Sequence, residues 1–144
     1  CADFARQLAE RLDRPLEVVP EFVELSFGIW EGRSVAEVNA TDPVMLARFW
    51  RDPVAYPIPK GEPVAEFDRR VGQAWDALLE RHRGRHLLLV AHGGVIRMVL
   101  RQLLEIPVRR IWRIEVPFAA VSRIRRHRDP DAEPHLVFHN GRLA

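Results

Sequence analysis

Cysteine is almost absent from this sequence, and its absence excludes several kinds of site. Cys1 is the only cysteine among the 144 residues. The chain therefore contains no internal disulfide and no metal site built from several cysteines. A single cysteine fits a protein kept in a reducing compartment, so we expect a cytoplasmic location.

Lysine is scarce, the net charge is small, and no apolar run is long. Lys60 is the only lysine, and the 22 basic residues exceed the 20 acids by two, for a formal net charge of +2. No apolar run approaches the roughly 20 residues that span a bilayer. Hydrophobic residues make up 47% and charged residues 29% of the chain, which predicts one globular domain over residues 1–144. Neither nucleic acid nor a membrane is expected as a partner.

One cluster of arginines tests that expectation. The run from Arg123 to Arg128 resembles a nucleic-acid patch, but it alternates with Val121 and Ile124 and leads to a turn at Asp129-Pro130. This pattern favours a solvated edge strand.

Patterns for metal binding and for a serine nucleophile are also missing. His82 and His86 are four residues apart, but Gly84 interrupts any helix that would align them. His135 and His139 flank an apolar strand and have no carboxylate nearby in a recognisable ligand pattern. No serine stands on a sharp, glycine-flanked turn. The sequence therefore predicts no metal and no cofactor.

Hydrophobic periodicity predicts an α/β chain. Helices are expected over residues 2–13, 43–51, 64–83 and 95–105. A helical turn is expected over 34–38, with Ser34 as its N-cap and Glu37 at capping-box spacing. Strands are expected over residues 16–19, 87–91, 112–116, 119–124 and 136–138, and a long surface loop over 52–63. Apolar residues at three-and-four spacing in the first helix predict one buried face.

The stretch from Leu87 to Arg97 carries the strongest local signal. A predicted buried strand stops at His92, two glycines follow, and a helix is expected from Val95. The first amides of a helix attract anions, and Gly93 and its neighbour would let an anion approach the backbone. Two interpretations stay open here: a phosphate or carboxylate site containing His92, or only a tight strand-helix connection.

A second segment, residues 21–32, fits neither helical nor strand periodicity. It holds two glycines, Phe27, Trp30 and several acids, and is typical of an ordered loop. We expect the two aromatic residues to fix the loop to the core. Glu24 is the candidate acid, because a carboxylic acid beside a histidine at an anion site suits phosphate-ester chemistry.

Three elements together resemble the histidine phosphatase superfamily, the phosphoglycerate-mutase-like proteins. They are Leu88-Leu-Val-Ala-His-Gly-Gly-Val-Ile-Arg97, Glu24-Leu-Ser-Phe-Gly-Ile-Trp-Glu-Gly32, and Gly61-Glu62 before a long amphipathic helix. The second is most similar to the phosphatase branch, including alpha-ribazole phosphatases. The third departs from the family's Gly-Glu-Ser at Pro63.

The resemblance implies a three-layer α/β/α sandwich around a mostly parallel sheet and a phosphomonoester hydrolase acting on a small phosphorylated metabolite. It implies that His92 stabilises the phosphoryl group, that Gly93 lies beside it, and that Glu24 is the general acid/base. The family's nucleophile is a histidine in an Arg-His-Gly motif, which this chain lacks. We therefore expect the chain to be the later portion of a domain whose first strand and phosphohistidine lie before Cys1.

Two alternatives remain within this resemblance. One is a phosphotransferase of the phosphoglycerate mutase type, although the short segment after the acid loop favours a phosphatase. The other is a phosphate-binding module without catalysis. The sequence leaves the oligomeric state open, with a homodimer as one option.

Overall fold

The computed structural model describes residues 1–127, 129 and 132–141. Within these residues the chain forms five α-helices, one two-stranded sheet and three short 3₁₀ turns. The helices are α1 Ala2–Leu12, α2 Val35–Thr41, α3 Pro43–Arg51, α4 Val64–Arg81 and α5 Gly93–Leu103. The strands are β1 Val121–Arg125 and β2 His135–Gly141, and the 3₁₀ turns are Pro20–Phe22, Gly28–Trp30 and Val108–Arg113.

The predicted helices are confirmed, and local capping explains where two of them begin. Ser34 caps α2: its hydroxyl accepts from the Glu37 amide at 3.2 Å, and the Glu37 carboxylate accepts from the Ser34 amide at 2.7 Å. This reciprocal pair is a capping box. Asp42 caps α3 by accepting from the Met45 amide at 3.0 Å. The proline-rich residues 52–63 form no helix or strand, as expected.

The core lies between α4, α5 and the segments that connect them. Phe67 and Val71 of α4 and Val95 and Met98 of α5 are almost fully buried. Ile111, in the third 3₁₀ turn, completes this contact. The periodicity of α4 and α5 therefore predicts the buried faces correctly.

A polar contact fixes how α4 crosses α5. The Asp68 carboxylate pairs with Arg101 at 2.5 Å and accepts from the Gln102 amide group at 2.9 Å. The Gln102 side chain occupies the space beside Gly72. A Cβ at residue 72 would lie only 2.5 Å from the Gln102 Nε2. Gly72 thus allows the two helices to approach closely.

Four aromatic rings from three parts of the chain form a second cluster. Phe49 lies at its centre, with ring centroids 5.4 Å from Trp30, 5.5 Å from Trp50 and 5.4 Å from Trp112. The contacts with Trp30 and Trp50 are edge to face and the contact with Trp112 is tilted. Such ring packing holds the side chains in place. The prediction that Trp30 ties its loop to the core is confirmed, because Trp30 is buried.

The strand predictions are only partly correct. Residues 119–124 and 136–138 fall in or beside β1 and β2, which pair antiparallel with irregular register. Residues 16–19 and 87–91 form no strand, and Trp112 lies in a 3₁₀ turn instead. A strand exists only with a hydrogen-bonded neighbour, and the described residues offer none to those two segments. The expected burial of 87–91 is also wrong in part, since Leu88 is 68% exposed.

The apolar face of α1 is a further correction. The helix forms as predicted, but it contains no buried residue, and Phe4 is 60% exposed. Ala5, Leu8 and Ala9 on that face are only partly buried. Periodicity therefore identified the helix and not its environment.

The arginine run begins as the predicted strand. Arg123 and Arg125 belong to β1, and Arg126 forms an ion pair with Glu80 at 3.1 Å. Arg128, the last residue of the run, and Pro130 of the predicted turn lie outside the described residues.

The three-layer sandwich stays a prediction, because the described residues contain only the sheet β1–β2. The mixed helix and strand content does agree with an α/β chain. None of the helices in the described ranges is both long enough and apolar enough to cross a membrane.

Candidate active site

The Glu24 carboxylate lies on the first turn of α5. Its Oε2 accepts a hydrogen bond from the Gly94 amide at 2.9 Å, and its Oε1 accepts one from the Leu25 amide at 2.8 Å. The first amides of a helix have no partner within the helix and lie at the positive end of its dipole. A carboxylate 70 residues earlier in the chain therefore caps the helix that follows His92.

Gly94 makes this contact possible. A Cβ at this position would lie 2.9 Å from the Glu24 Cδ and 3.1 Å from its Oε2, with Oε1 closer still. Gly94 is itself buried. The second glycine of the pair therefore makes room for a carboxylate of the protein, whereas the sequence suggested room for a bound anion.

His92 directly precedes this helix end. Its backbone is extended, with φ −78° and ψ 164°, and its carbonyl accepts the first helical bond from the Ile96 amide at 3.1 Å. α5 consequently begins at Gly93, two residues before the predicted Val95. The imidazole is exposed, and no side-chain capping bond holds it against the helix. The fold thus brings Glu24 and His92 to one helix end.

Arg97 folds back over the same helix end. Long side chains in a helix lean toward its N-terminus, so a residue four positions on covers the first turn. A Cβ at Gly93 would lie 3.1 Å from the Arg97 Nη1 and 3.9 Å from Val116. Gly93 therefore leaves space for the guanidinium.

The guanidinium of Arg97 is held in place but is not paired with an acid. Its Nε donates to the Ile114 carbonyl at 2.8 Å, and its Cζ lies 5.6 Å from the centroid of the Trp112 ring. Burial lowers the pKa of Arg97, and the negative charge of Glu24 opposes this shift. No carboxylate in the described residues lies within 4.0 Å of it. The site thus includes a partly buried guanidinium, a group that stays protonated in proteins.

Arg70 of α4 anchors the loop that carries Glu24. Its guanidinium donates to three backbone carbonyls of that loop: Glu21 at 2.5 Å, Val23 at 2.9 Å and Glu24 at 3.3 Å. It also forms a two-pronged ion pair with Glu62, at 2.6 and 2.8 Å. Both side chains are about four-fifths buried. A bidentate pair of this kind fixes the guanidinium plane, and with it the loop.

The Gly61-Glu62 element packs directly against the same loop. The Glu62 amide donates to the Ser26 carbonyl at 3.0 Å, and the Ile29 amide donates to the Pro59 carbonyl at 3.1 Å. Gly28 has a φ of +52°, and a side chain there would collide with the backbone of residues 59–61. Two of the three sequence elements that resemble the family, Glu24–Gly32 and Gly61-Glu62, are thus neighbours in space.

Sequence reasoning missed Arg70, Glu62 and Arg97 as members of the site. The sequence did contain a signal for Arg97. A glycine at the start of a helix leaves room for the side chain of an arginine four residues later to lie back over the first turn. For Arg70 the signal is weaker, since its role depends on the contact between α4 and a loop 47 residues away. No group of three or more histidine, cysteine or acidic side chains within the described ranges could hold a metal ion.

Comparison with known proteins agrees with this arrangement. The family model described as "Histidine phosphatase superfamily (branch 1)" matches residues 1–138. The chain belongs to the histidine phosphatase superfamily. Its members with similar sequences include phosphatases and a probable phosphoglycerate mutase, and the resemblance inferred from the three elements is confirmed.

Two curated relatives and one solved structure illustrate the similarity. A bifunctional protein of Mycobacterium tuberculosis is 30% identical over 141 residues, which cover 98% of this chain and 38% of the relative. The adenosylcobalamin/alpha-ribazole phosphatase of Salmonella typhimurium is 30% identical over 123 residues, covering 83% of this chain and 59% of the relative. The chain thus spans about half the length of the curated relatives it matches.

The solved structure is a mycobacterial glucosyl-3-phosphoglycerate phosphatase in complex with inorganic phosphate. It superposes with a TM-score of 0.78 at 25% identity, over 97% of this chain and 72% of that one. The fold of this chain is therefore a histidine phosphatase fold over nearly all of its length.

Proposed function

We propose that this chain forms part of a phosphomonoester hydrolase of the histidine phosphatase type. The observation that carries the proposal is the contact between Glu24 and the Gly94 amide, which joins the acid loop to the helix end at His92. Family membership and the phosphatases among the relatives support it. The substrate class is a small phosphorylated metabolite.

In the proposed reaction, the nucleophile is a histidine outside these 144 residues. Its ring nitrogen forms a bond to phosphorus while the bond from phosphorus to the ester oxygen breaks. Glu24, as general acid, gives its proton to the departing oxygen, which leaves as the alcohol. Water then attacks the phosphorus of the phosphohistidine while the bond from phosphorus to the histidine nitrogen breaks. Glu24 takes a proton from that water, and inorganic phosphate is released.

His92 and Gly93 have supporting roles in this proposal. The exposed imidazole of His92 donates to the phosphoryl oxygens and stabilises the charge that they carry during transfer. Gly93 lies beside the phosphoryl group, next to the guanidinium of Arg97. Each oxygen of Glu24 accepts one backbone hydrogen bond and keeps a second lone-pair direction for the substrate.

The test uses the complete product of the reading frame that encodes this chain. We expect it to hydrolyse p-nitrophenyl phosphate without added metal, with a rate that a chelator leaves unchanged. No hydrolysis, or hydrolysis that the chelator abolishes, would contradict the proposal. Trapping of phosphate on a histidine during turnover would identify the nucleophile directly.

The role of Glu24 is tested by the variant Glu24→Gln. General acid catalysis contributes about 10²–10⁴-fold, and a poor leaving group depends on it most. We expect kcat for alkyl phosphates to fall by roughly 100-fold or more, and kcat for aryl phosphates to fall less. Glu21→Gln is the matched control, because Glu21 is an exposed acid on the same loop. An equal loss on both substrate types would show that Glu24 is not the acid.

A further inference from the structure

A cleft of about 420 Å³ opens beside the loop that carries Glu24. Phe27 and Trp30 of that loop form one wall, and Trp50 of α3 and Trp112 form another. Arg97 lines it as well. The cleft therefore combines aromatic walls with two guanidinium groups, those of Arg33 and Arg97, and one carboxylate, that of Glu31.

The aromatic walls are rigid. The rings of Trp50 and Trp112 meet edge to face with centroids 4.9 Å apart, and both pack on the buried Phe49. Trp50 is still 40% exposed, so part of its ring is accessible. Walls that are already fixed lose little conformational entropy when a ligand binds.

The other charged groups at the cleft are occupied by their own loop and helix. The Glu31 carboxylate accepts from the Phe27 amide at 2.6 Å. Arg33 donates to the Glu37 carbonyl at 2.9 Å and to the Thr41 hydroxyl at 2.6 Å. Arg97 differs from Arg33 in direction, because its Nη1 extends toward Gly93. Both hydrogen bonds of Arg33 come from its Nη2 and lead to α2.

Arg97 therefore connects the cleft with the helix end where Glu24 and His92 meet. One end of the combined space is positive and suits a phosphate dianion. The remainder is lined mainly by aromatic and aliphatic side chains, and its charged groups Glu31 and Arg33 are bonded to their own loop and helix, so it suits a group without charge. An ester of phosphate has this same division between its phosphoryl group and its alcohol part.

We propose that this cleft binds the alcohol part of the substrate and that it accepts an apolar ring. The inference rests on the proposed phosphatase function and adds the class of leaving group. The phosphoryl group lies against Arg97 and the start of α5, and the ring lies against Trp50 and Phe27. Offset or edge-to-face contacts with these rings then supply the preference.

Binding of two phosphonates to the complete protein tests the inference without needing turnover. Benzylphosphonate carries the ring and ethylphosphonate does not, and the carbon–phosphorus bond of neither is hydrolysed. By isothermal titration we expect benzylphosphonate to bind roughly tenfold more tightly, the size of one or two ring contacts. Equal dissociation constants would overturn the cleft as a ring site.

Variants of Trp50 locate the preference. We expect Trp50→Ala to remove most of the tenfold difference by weakening benzylphosphonate alone, and Trp50→Phe to restore much of it. Val54→Ala is the control, since Val54 is 43% exposed and does not line the cleft. A preference that survives in Trp50→Ala, with the fold intact by circular dichroism, would overturn the inference.

The outcomes separate this inference from the function on which it rests. If the complete protein hydrolyses p-nitrophenyl phosphate but the two phosphonates bind equally, the cleft is wrong and the phosphatase proposal stands. If neither phosphonate binds and no ester is hydrolysed, both are wrong. In the complete protein, kcat/KM for 2-phenylethyl phosphate should exceed that for ethyl phosphate by the same factor as the binding ratio.

Discussion

Gly94→Ala is the most informative single change, because it acts on the contact between the acid loop and α5. The added methyl would lie 2.9 Å from the Glu24 Cδ and 3.1 Å from Oε2. Non-bonded carbon atoms approach to about 3.5 Å, so one partner has to move. The carboxylate stands at the end of a flexible side chain, whereas Gly94 is part of a buried helix. We therefore expect Glu24 to be displaced and the helix to stay.

The effect on stability should be small. Loss of the hydrogen bond from the Gly94 amide costs about 1 kcal/mol, the usual value for a lost helix cap. Alanine in place of glycine returns up to about 1 kcal/mol of helix propensity. The free energy of unfolding of Gly94→Ala should therefore stay within about 1 kcal/mol of the original value, as measured by urea denaturation.

The effect on activity should be large by comparison. A displaced Glu24 no longer reaches the leaving oxygen, so kcat for alkyl phosphates should fall by roughly 100-fold, as for Glu24→Gln. The assay is a double-mutant cycle with Gly94→Ala and Glu24→Gln in the complete protein. If the glycine acts through the acid, the double variant is no slower than either single variant. Multiplying losses, or full activity of Gly94→Ala, would refute this reasoning.

Two further predictions concern the anchor of the loop and the cap of α2. Arg70→Lys keeps the charge but cannot bridge three carbonyls and a carboxylate. We therefore expect the free energy of unfolding, measured by urea denaturation, to fall by about 2 kcal/mol, and kcat to fall by a larger factor than KM rises. An unchanged kcat would mean that Arg70 does not position Glu24. The amide and hydroxyl of Ser34 hold the pKa of Glu37 below 4.5. The ionised Glu37 carboxylate therefore stabilises the folded chain above about pH 4.5, and this stabilisation is lost as pH falls through the lowered pKa. Glu37→Gln should have a lower urea midpoint than the original chain at pH 7 and a nearly equal one at pH 3, with Glu66→Gln as the control. The same difference in midpoint at both pH values would contradict this prediction.

The helices could be predicted because their signals are local. The apolar spacing of α4 and the Ser34 cap lie within one stretch of sequence, and both appear in the structure where they were expected. Residues 87–91 could not be assigned in the same way. Their apolar character is typical of a strand, but a strand depends on a partner elsewhere, and none pairs with them among the residues that the structure describes.

In the candidate site too, the features set by local sequence could be predicted and those that depend on distant contacts could not. Glu24 and His92 were found because they stand in motifs that resemble a family. That the Glu24 carboxylate caps the helix after His92 depends on a contact across 70 residues, which periodicity does not report. Arg70 was missed because the amphipathic pattern of α4 accounts for its position without a further role.

The capping of α5 by Glu24 changes what an anion meets at this helix end. The Gly94 amide is already engaged, so a phosphate that takes this donor exchanges with a carboxylate and does not simply fill an open position. The measured affinity for a phosphate in that position is then a difference between two charge-assisted hydrogen bonds. For the proposed phosphatase, we expect this exchange to weaken the binding of free inorganic phosphate and so to favour product release.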